Sequence, residues 1–440
     1  MQRVGVVLLG YGRMGRAAHV ALGQVSADLE QAGIVPQLLG VFEADESLLG
    51  SLPVLMEGKT VLVGSGLSAA VPVSRMLQQE LGLRPEDEFL VYDATSSHSH
   101  QQNLIDICQT FPRALYLGEK PIFTRRTQLA ALELFGPSVL CDFVESQNEA
   151  TLKLLELQRE GLRIDRLRFW RLNSIGLVKL FDRQKRVGVT GGALLDKGVH
   201  DLALASVLLR NDSEGNASAT VEEATNFAML PRPASTGNGA RVSTNGTSLG
   251  EAAAGYAKLR WGGSCDVDSE FRYSWVGVER FDEMCVEAGQ PSLRDLLERF
   301  GLEEDAWLAR SPLGPGILNR FEQQEARILL LDGAQRGRPV QLVVNFLRRP
   351  GIQPFILDVG TDSFVELGEH RYSANSLARI FDAAIRGYVS QQPLSCSPLG
   401  ARVIHQVHSA TFDIQDFAAA SKPLFPATES VNPHLHYVEN

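Results

Sequence analysis

The feature that most constrains this chain is its first element and the way that element stops. Val4 to Leu9 is an unbroken apolar run that ends in Gly10-Tyr11-Gly12-Arg13-Met14-Gly15. An apolar run closed by glycine is the pattern of a strand buried on both faces of a parallel sheet. Behind it, Met14, Ala17, Ala18, Leu22, Val25 and Leu29 recur at helical spacing, and Pro36 to Glu43 reads as a second strand. The chain therefore begins with a βαβ unit whose first turn is built of glycine.

The three glycines have separate jobs. Gly10 permits the tight turn, Gly12 lets a pyrophosphate approach the backbone, and Gly15 lets helix and strand pack closely. The helix N-terminus adds free N–H groups and a positive dipole end. A GxGxxG alone is also met in ordinary strand–helix turns. Here it lies between a strand and a helix, with an acid at the end of the second strand. Gly10, Tyr11, Gly12, Arg13, Met14 and Gly15 are thus the expected cofactor-binding residues, and Glu43 is expected to accept hydrogen bonds from the adenine-ribose hydroxyls. A carboxylate at 43 repels a 2′-phosphate, and Ala44 rather than Arg follows it, so NAD is favoured. Arg13 keeps NADP open as the alternative.

Strands continue to alternate with helices. Residues 44–88 read as an elaborated crossover, with a short apolar run at Lys59 to Val63 and a helical stretch near Ala69 to Leu81. Phe89 to Tyr92 is a buried strand ending at Asp93-Ala94-Thr95. A helix from Gln101 to Thr110 and strands at Ala114 to Leu117 and Val139 to Val144 follow. This alternation predicts a doubly wound parallel sheet of the Rossmann type over residues 1–145. The remainder, 146–440, changes character. Glu149 to Arg159 is helical and Arg166 to Asn173 alternates as a strand. Strand-like segments at 221–230, 252–261, 266–277, 339–347 and 352–359 suggest an antiparallel sheet in an α+β domain. Stretches 211–218 and 231–250 are rich in Gly, Ser, Thr, Asn and Pro and read as loops. Leu377 to Tyr388 and Ala401 to Phe412 look like closing helices.

Bulk properties set limits. At 440 residues the chain is too long for one ordinary core, so two domains are expected. A net charge of -10 argues against nucleic acid or an anionic membrane as the main partner. The five cysteines, at 108, 141, 265, 285 and 396, show no CxxC spacing. That points to a reducing compartment and to neither a disulfide frame nor a metal site. The chain enters a strand at once and holds no apolar run long enough to span a bilayer, so a cytoplasmic protein is expected. The sequons at Asn211, Asn216 and Asn245 are read as chance without secretion.

Two further motifs supply proton-handling groups: Glu119-Lys120-Pro121, and Gly191-Gly192-Ala193-Leu194-Leu195-Asp196-Lys197-Gly198-Val199-His200. If the segment from Leu195 is helical, Asp196 and His200, spaced i and i+4, share a face. Each motif alone fits a bland reading as well, a helix cap with a surface histidine or a solvated loop lysine. A dinucleotide site combined with a Lys, an Asp and a His is what reversible oxidation of an alcohol requires.

With GYGRMGRAAH (10–19), DATSSHSH (93–100), EKP (119–121), GGALLDKGVHD (191–201) and LARIFDAAIRG (377–387) in this order, the chain resembles the Gfo/Idh/MocA family of oxidoreductases over most of its length. The resemblance implies an N-terminal Rossmann domain and a C-terminal α+β domain with a large, mostly antiparallel sheet. It also implies a nicotinamide cofactor, a small-molecule substrate with a sugar or cyclitol hydroxyl, and a homodimer or homotetramer assembled through that sheet. It places the catalytic lysine at Lys120, the aspartate at Asp196 and the histidine at His200, and it adds Thr95, His98, Glu119 and Lys120 to the cofactor-binding set. The sequence departs from the family at Ser96-Ser97, where Pro-Asn is usual, and at Ala203, where an Asp is often found; the substrate is what these departures put in question. Other readings of the same fold are a reductase of a semialdehyde or a biliverdin-like tetrapyrrole, or a cofactor-binding protein without turnover. In the hydride-transfer reading, His200 is the first candidate base because its ordinary pKa is near neutrality. Lys120 would bind the reacting oxygen or exchange its proton, and Asp196 would orient the imidazole or bind a neighbouring hydroxyl. Arg168, Arg171 and Asn173 lie on a strand that could face a pocket, although a place on the sheet surface fits them as well.

Overall fold

The structure is a computed structural model that describes residues 1–49, 62–64, 71–173, 192–210, 218–231, 240–244, 252–262, 266–275, 281, 295, 325–348, 353–361, 363–367, 376–394 and 397–420. The chain divides into two compact units, Met1–Gln147 with Glu369–His408, and Asn148–Gly368 with Ser409–Asn440.

Among the described residues, the first unit holds six strands: β1 (Gln2–Leu9), β2 (Ile34–Phe42), β3 (Leu62–Gly64), β4 (Phe89–Asp93), β5 (Leu115–Gly118) and β6 (Val139–Cys141). All pair in parallel, in the order β3-β2-β1-β4-β5-β6. The winding reverses between β1 and β4, the switch point at which doubly wound sheets bind ligands outside their carboxyl ends. Its helices are α1 (Arg13–Gln31), α2 (Glu46–Leu49), α3 (Val73–Leu81), α4 (Ser97–Thr110) and α5 (Ala130–Phe135). The apolar stripe read from the sequence does what its spacing demands: Ala18, Leu22, Val25 and Leu29 of α1 are fully buried against Val6, Leu8, Val41 and Leu90. Burying a side chain of this size contributes roughly 1.5–3 kcal/mol. The crossover at 44–88 carries β3 and α3; residues 50–61 and 65–70 of it lie outside the described residues.

The expected boundary at 145/146 needs one correction. Residues 369–408, assigned from the sequence to the second domain with the rest of 146–440, belong to the first unit, and among them is helix Ser376–Val389. Its Leu377, Ala378, Ile380, Phe381, Ala384 and Ile385 enter the same core as α1. The helix itself was legible from that stripe, but the stripe does not say which apolar surface it covers.

The second unit contains α6 (Glu149–Arg159), β7 (Leu162–Asn173), α7 (Val199–Leu208), β8 (Ser218–Pro231), β9 (Ala240–Thr244), β10 (Ala252–Gly262), β11 (Val267–Ser274), β12 (Glu325–Gln335), β13 (Arg338–Asn345), β14 (Phe355–Asp358) and β15 (Ser363–Glu366). These strands form a nine-stranded sheet in the order β15-β14-β13-β12-β7-β11-β10-β8-β9. Every pairing is antiparallel except β7 with β11.

The period of two gives the sheet unlike faces. One carries buried Leu167, Phe169, Phe271, Leu329 and Leu331, with the Phe169 and Phe271 rings stacked at 5.0 Å. Helices α6 and α7 pack on β7. On the other face Arg168 pairs with Asp332 at 2.9 Å and with Glu270 at 3.7 Å. There Arg272 meets Glu270 at 3.0 Å and lies 4.6 Å over the Trp170 ring and 4.9 Å over the Tyr256 ring. Arg168 thus belongs to this charged ladder across the strands.

Three strands were not expected: β9, β12 and the edge strand β15. β9 lies within 231–250, read as loop; its backbone pairs with Phe227–Pro231, while 232–239 and 245–251 lie outside the described residues. β12 forms a hairpin with β13 through Arg336 and Gly337, both at positive φ (51° and 83°). A two-residue turn of that kind is ordinarily announced by Asn-Gly or Asp-Gly. An arginine in the first place hides it.

Gly15 sets how closely α1 approaches β1. A Cβ there would lie 1.9 Å from the Gly10 carbonyl oxygen. Gly15→Ala is therefore expected to destabilise the protein by ~1–3 kcal/mol or more, as overpacking does, measured by chemical denaturation.

Candidate active site

The switch point of the first unit carries the glycine turn. Gly10 has φ +80°, and a Cβ on it would be 2.7 Å from the Ala94 carbonyl oxygen. Around Gly12, which caps α1, nothing lies within 4 Å of the position a Cβ would take. Gly12 has no side chain with which to cap that helix end. The geometry at these positions is a turn, an open space and a tight contact. The second leaves room for a group to approach the helix end.

Glu43 has a role that sequence reasoning missed. Its carboxylate accepts the backbone N–H of Tyr11, within the glycine turn, and those of Ala44 (2.7 Å) and Asp45 (3.1 Å). It braces the turn across the strand ends. An ionised carboxylate offers about four acceptor sites, so one further donor can still bind. The Tyr11 side chain points into the core, where its hydroxyl meets His19 Nδ1 at 2.8 Å. Burial raises the phenol's pKa and lowers that of the imidazole. Tyr11 therefore offers the turn its backbone only. Arg13 is exposed at the start of α1, and Met14 packs against the core.

The carboxyl ends of β4, β5 and β6 lie side by side, with Asp93 level with Gly118 and Gly118 with Cys141. This register gathers Asp93-Ala94-Thr95, Glu119-Lys120 and Asp142 on one edge. Asp93 is fully buried and accepts from the Thr95 backbone N–H (3.0 Å) and hydroxyl (2.6 Å), Asn103 (2.9 Å) and the Tyr116 hydroxyl (2.7 Å). Asp142 accepts from the Tyr92 hydroxyl at 2.7 Å. Burial, and after it the nearby Glu119, hold its carboxyl well above the usual range, against the opposing pull of Tyr92 and Lys120. The Lys120–Pro121 peptide is cis.

Two buried histidines flank that turn. His100 places Nδ1 2.9 Å from the Pro121 carbonyl oxygen and Nε2 3.0 Å from that of Thr95. His408, on helix Ala401–Ala420, donates from Nδ1 to Ile404 O at 2.8 Å, and its Nε2 accepts the Phe123 N–H at 3.4 Å. His98, placed in the cofactor set from the sequence, is exposed on α4. Two residues along a helix point to opposite sides, so in that pair it is His100 that faces inward. Helical phase was the available signal. Asp93, Tyr116, Asp142 and His408 had none.

In the second unit, Leu194–Gly198 is a π turn and not the α-helix expected from Leu195. A π turn inserts one residue per turn and tends to occur at functional sites. Gly198 fits it: a Cβ there would approach Leu194 Cδ1 to 2.7 Å. Asp196 Oδ2 accepts the Trp275 indole N–H at 2.8 Å, with Lys197 Nζ at 3.7 Å. His200 is buried in the first turn of α7, and the next residue, Asp201, pairs with buried Arg171 at 2.8 and 2.9 Å. Asn173 donates to Glu325 at 3.3 Å. Gly191 lies outside the described residues.

Cys108 and Cys141 are buried free thiols; burial pushes Cys108 up to about 12 and Cys141 well up. The other three cysteines lie outside the described residues. Among the described residues no group of three or more His, Cys, Asp or Glu is placed to hold a metal, and no helix is long and apolar enough to cross a membrane.

No protein-family model matches the chain, and no curated protein sequence does. Solved structures do match. Levoglucosan dehydrogenase in complex with NADH and levoglucosan superposes with a TM-score of 0.60 at 14% identity, covering 95% of this chain and 98% of that one. UDP-N-acetylglucosamine 3-dehydrogenase from Acidithiobacillus ferrooxidans gives 0.55 at 14%, covering 96% and 99%. Scyllo-inositol dehydrogenase from Lactobacillus casei, with bound NAD(H) and scyllo-inositol, gives 0.56 at 11%, covering 94% and 97%. The fold is the two-domain fold of these Gfo/Idh/MocA-type dehydrogenases, the architecture that the sequence motifs implied.

His408 makes stability depend on pH. Burial, the largest cause, lowers its pKa from 6.5 to about 4. The unfolded chain takes up this proton near pH 6.5 and the folded one only near pH 4, so stability is lost as pH falls through that window. The gap is worth ~3 kcal/mol. His408→Gln should be less stable at pH 7 but lose less on acidification from 6.5 to 4, by about that amount, in denaturation curves taken across the range.

Proposed function

We propose that this protein is an NAD(P)-dependent oxidoreductase that moves a hydride between a nicotinamide cofactor and a hydroxyl or ketone carbon of a sugar, cyclitol or sugar derivative. One observation carries the reading: the open space at Gly12, at the start of α1, occurs in the same unit as the Lys120 turn, at the carboxyl edge of a doubly wound sheet. The structural neighbours support it, being dehydrogenases of polyhydroxylated compounds, several with a nicotinamide cofactor bound.

A bound nicotinamide dinucleotide would supply the hydride donor or acceptor. The N–H groups at the start of α1, with Gly10, Gly12 and Gly15, would hold the pyrophosphate. Glu43 keeps capacity for a ribose hydroxyl while bracing the turn, and its charge disfavours a 2′-phosphate, so NAD is the proposed cofactor. Thr95 and Glu119 would border its other end. Lys120 would stabilise charge on the reacting oxygen, His200 would take the hydroxyl proton, and Asp196, steadied by Trp275, would hold the imidazole or a neighbouring hydroxyl. In this reading the first unit binds the cofactor and the second the substrate, and the protein works in the cytoplasm.

The test is binding followed by turnover. NADH should bind more tightly than NADPH, with Glu43→Ala narrowing the difference. A screen for NADH release over sugars, cyclitols and nucleotide sugars should find a substrate. On it, Lys120→Ala and His200→Ala should each lose roughly 10²–10⁴ in turnover. Tighter NADPH binding would overturn the cofactor assignment, and near wild-type turnover in either variant would overturn the roles.

Association belongs to the same proposal. The mostly antiparallel sheet of the second unit, through which the family that the sequence resembles assembles, motivates a closed symmetric oligomer. A homodimer or homotetramer is expected in light scattering at micromolar concentration; a strictly monomeric mass there would contradict it.

A further inference from the structure

We propose that His100 is the positioning residue for Lys120, its buried ring tying the carbonyl of Thr95 to that of Pro121 so that the end of β4 and the Lys120 turn are held as one piece. This rests on the reading that Lys120 handles the substrate oxygen.

The contacts of His100 are unusual for a core histidine. The ring is fully buried, yet neither nitrogen is spent on its own helix. Nδ1 lies 2.9 Å from the oxygen of Pro121, immediately after Lys120, and Nε2 lies 3.0 Å from the oxygen of Thr95. Carbonyl oxygens only accept, so completing both bonds takes an N–H from each ring nitrogen. The Asp93 carboxylate lies 3.9 Å from Nε2. Asp93 is itself held by four donors, and one of these, the Tyr116 hydroxyl, also reaches the backbone oxygen of His100 at 3.1 Å. The other side of Lys120 is fixed too, because the Glu119 N–H donates to the Asp93 carbonyl at 2.8 Å. The residues on either side of Lys120 therefore lead back to the end of β4, one directly and one through His100. A reacting group must be held to within about 0.5 Å by a supporting shell. Here His100 supplies that support where the strand no longer can, beyond the last backbone pairing of β5.

The experiment uses the full-length protein without cofactor or substrate. Trace acetylation with acetic anhydride across a range of pH, read lysine by lysine by mass spectrometry, gives the rate and titration of the Lys120 amine. Lys153 and Lys258, each ion-paired to a glutamate in the second unit, serve as internal references. In His100→Ala the Lys120 rate relative to these references should rise roughly 5–10-fold, the size expected when a buried hydrogen bond is lost, and its pH profile should move. Hydrogen exchange at the Glu119 and Ile122 amides should quicken by a similar factor while β1 is unchanged. A merely structural role for His100 would quicken β1 as well and leave the Lys120 profile where it was; either result overturns the proposal. Should the alanine variant fail to fold, His100→Gln and Tyr116→Phe carry the same comparison, with smaller changes expected in the same direction and no change counting against it. Failure of the oxidoreductase reading would appear instead as absent NADH binding, a separate measurement.

Discussion

The contact on which the rest of this molecule depends is that between Gly15 and the carbonyl of Gly10, where no room exists for even one additional carbon. Helix α1 leaves β1 at once because of it, and open space is left at Gly12, where the helix begins. The same approach lets Ala18, Leu22, Val25 and Leu29 reach the sheet. A larger residue would have to push the helix off the strand, lifting those side chains from the core and moving the helix end from the sheet edge. Packing and binding geometry are thus one constraint, set by the absence of a Cβ.

The carboxyl edge of the sheet presents a different problem, because it gathers Asp93, Glu119 and Asp142 where water is scarce. A buried carboxylate left without donors costs several kcal/mol. The two whose partners are resolved are handled in opposite ways. Asp93 is surrounded by four donors, which satisfy its oxygens. Asp142 has one strong partner, Tyr92, and lies near Glu119; burial pushes it toward the neutral form. The edge therefore presents Lys120 with fewer negative charges than its composition suggests. That matters for a lysine expected to exchange or share a proton.

Much of this was legible in the sequence, and the failures have particular causes. The β1–α1–β2 unit and α6 read off because glycine, helical spacing and continuous apolar runs act locally. β12 escaped because its turn uses Arg336 in a left-handed conformation, a choice no local rule favours. Helix Ser376–Val389 was found but attached to the wrong unit, since an apolar stripe does not name its partner. Of the site, the motif residues were legible, but what holds them was not. The Glu43 contact with Tyr11, His100 with Pro121, and Trp275 with Asp196 each join residues distant in sequence. His98 was preferred to His100 because both lie in one motif, and only the phase of α4 separates them.

The supporting contacts share a logic in both units. The chain beside the residue expected to handle a proton is fastened. Lys120 is flanked by the Glu119 N–H and the Pro121 carbonyl, both tied down. His200 is followed by Asp201, whose buried pair with Arg171 fixes the first turn of α7 to β7. Breaking such a pair by removing one partner costs roughly 3–5 kcal/mol, which is ample to hold a helix end in register. Fastening the neighbour avoids a conflict. A hydrogen bond made to the adjacent peptide or side chain fixes position without itself occupying the reactive nitrogen. The same argument explains why supporting residues are hard to recognise in a sequence. They carry no motif of their own, and any side chain of the right reach and donor count, on whichever element happens to pack nearby, can fill the role.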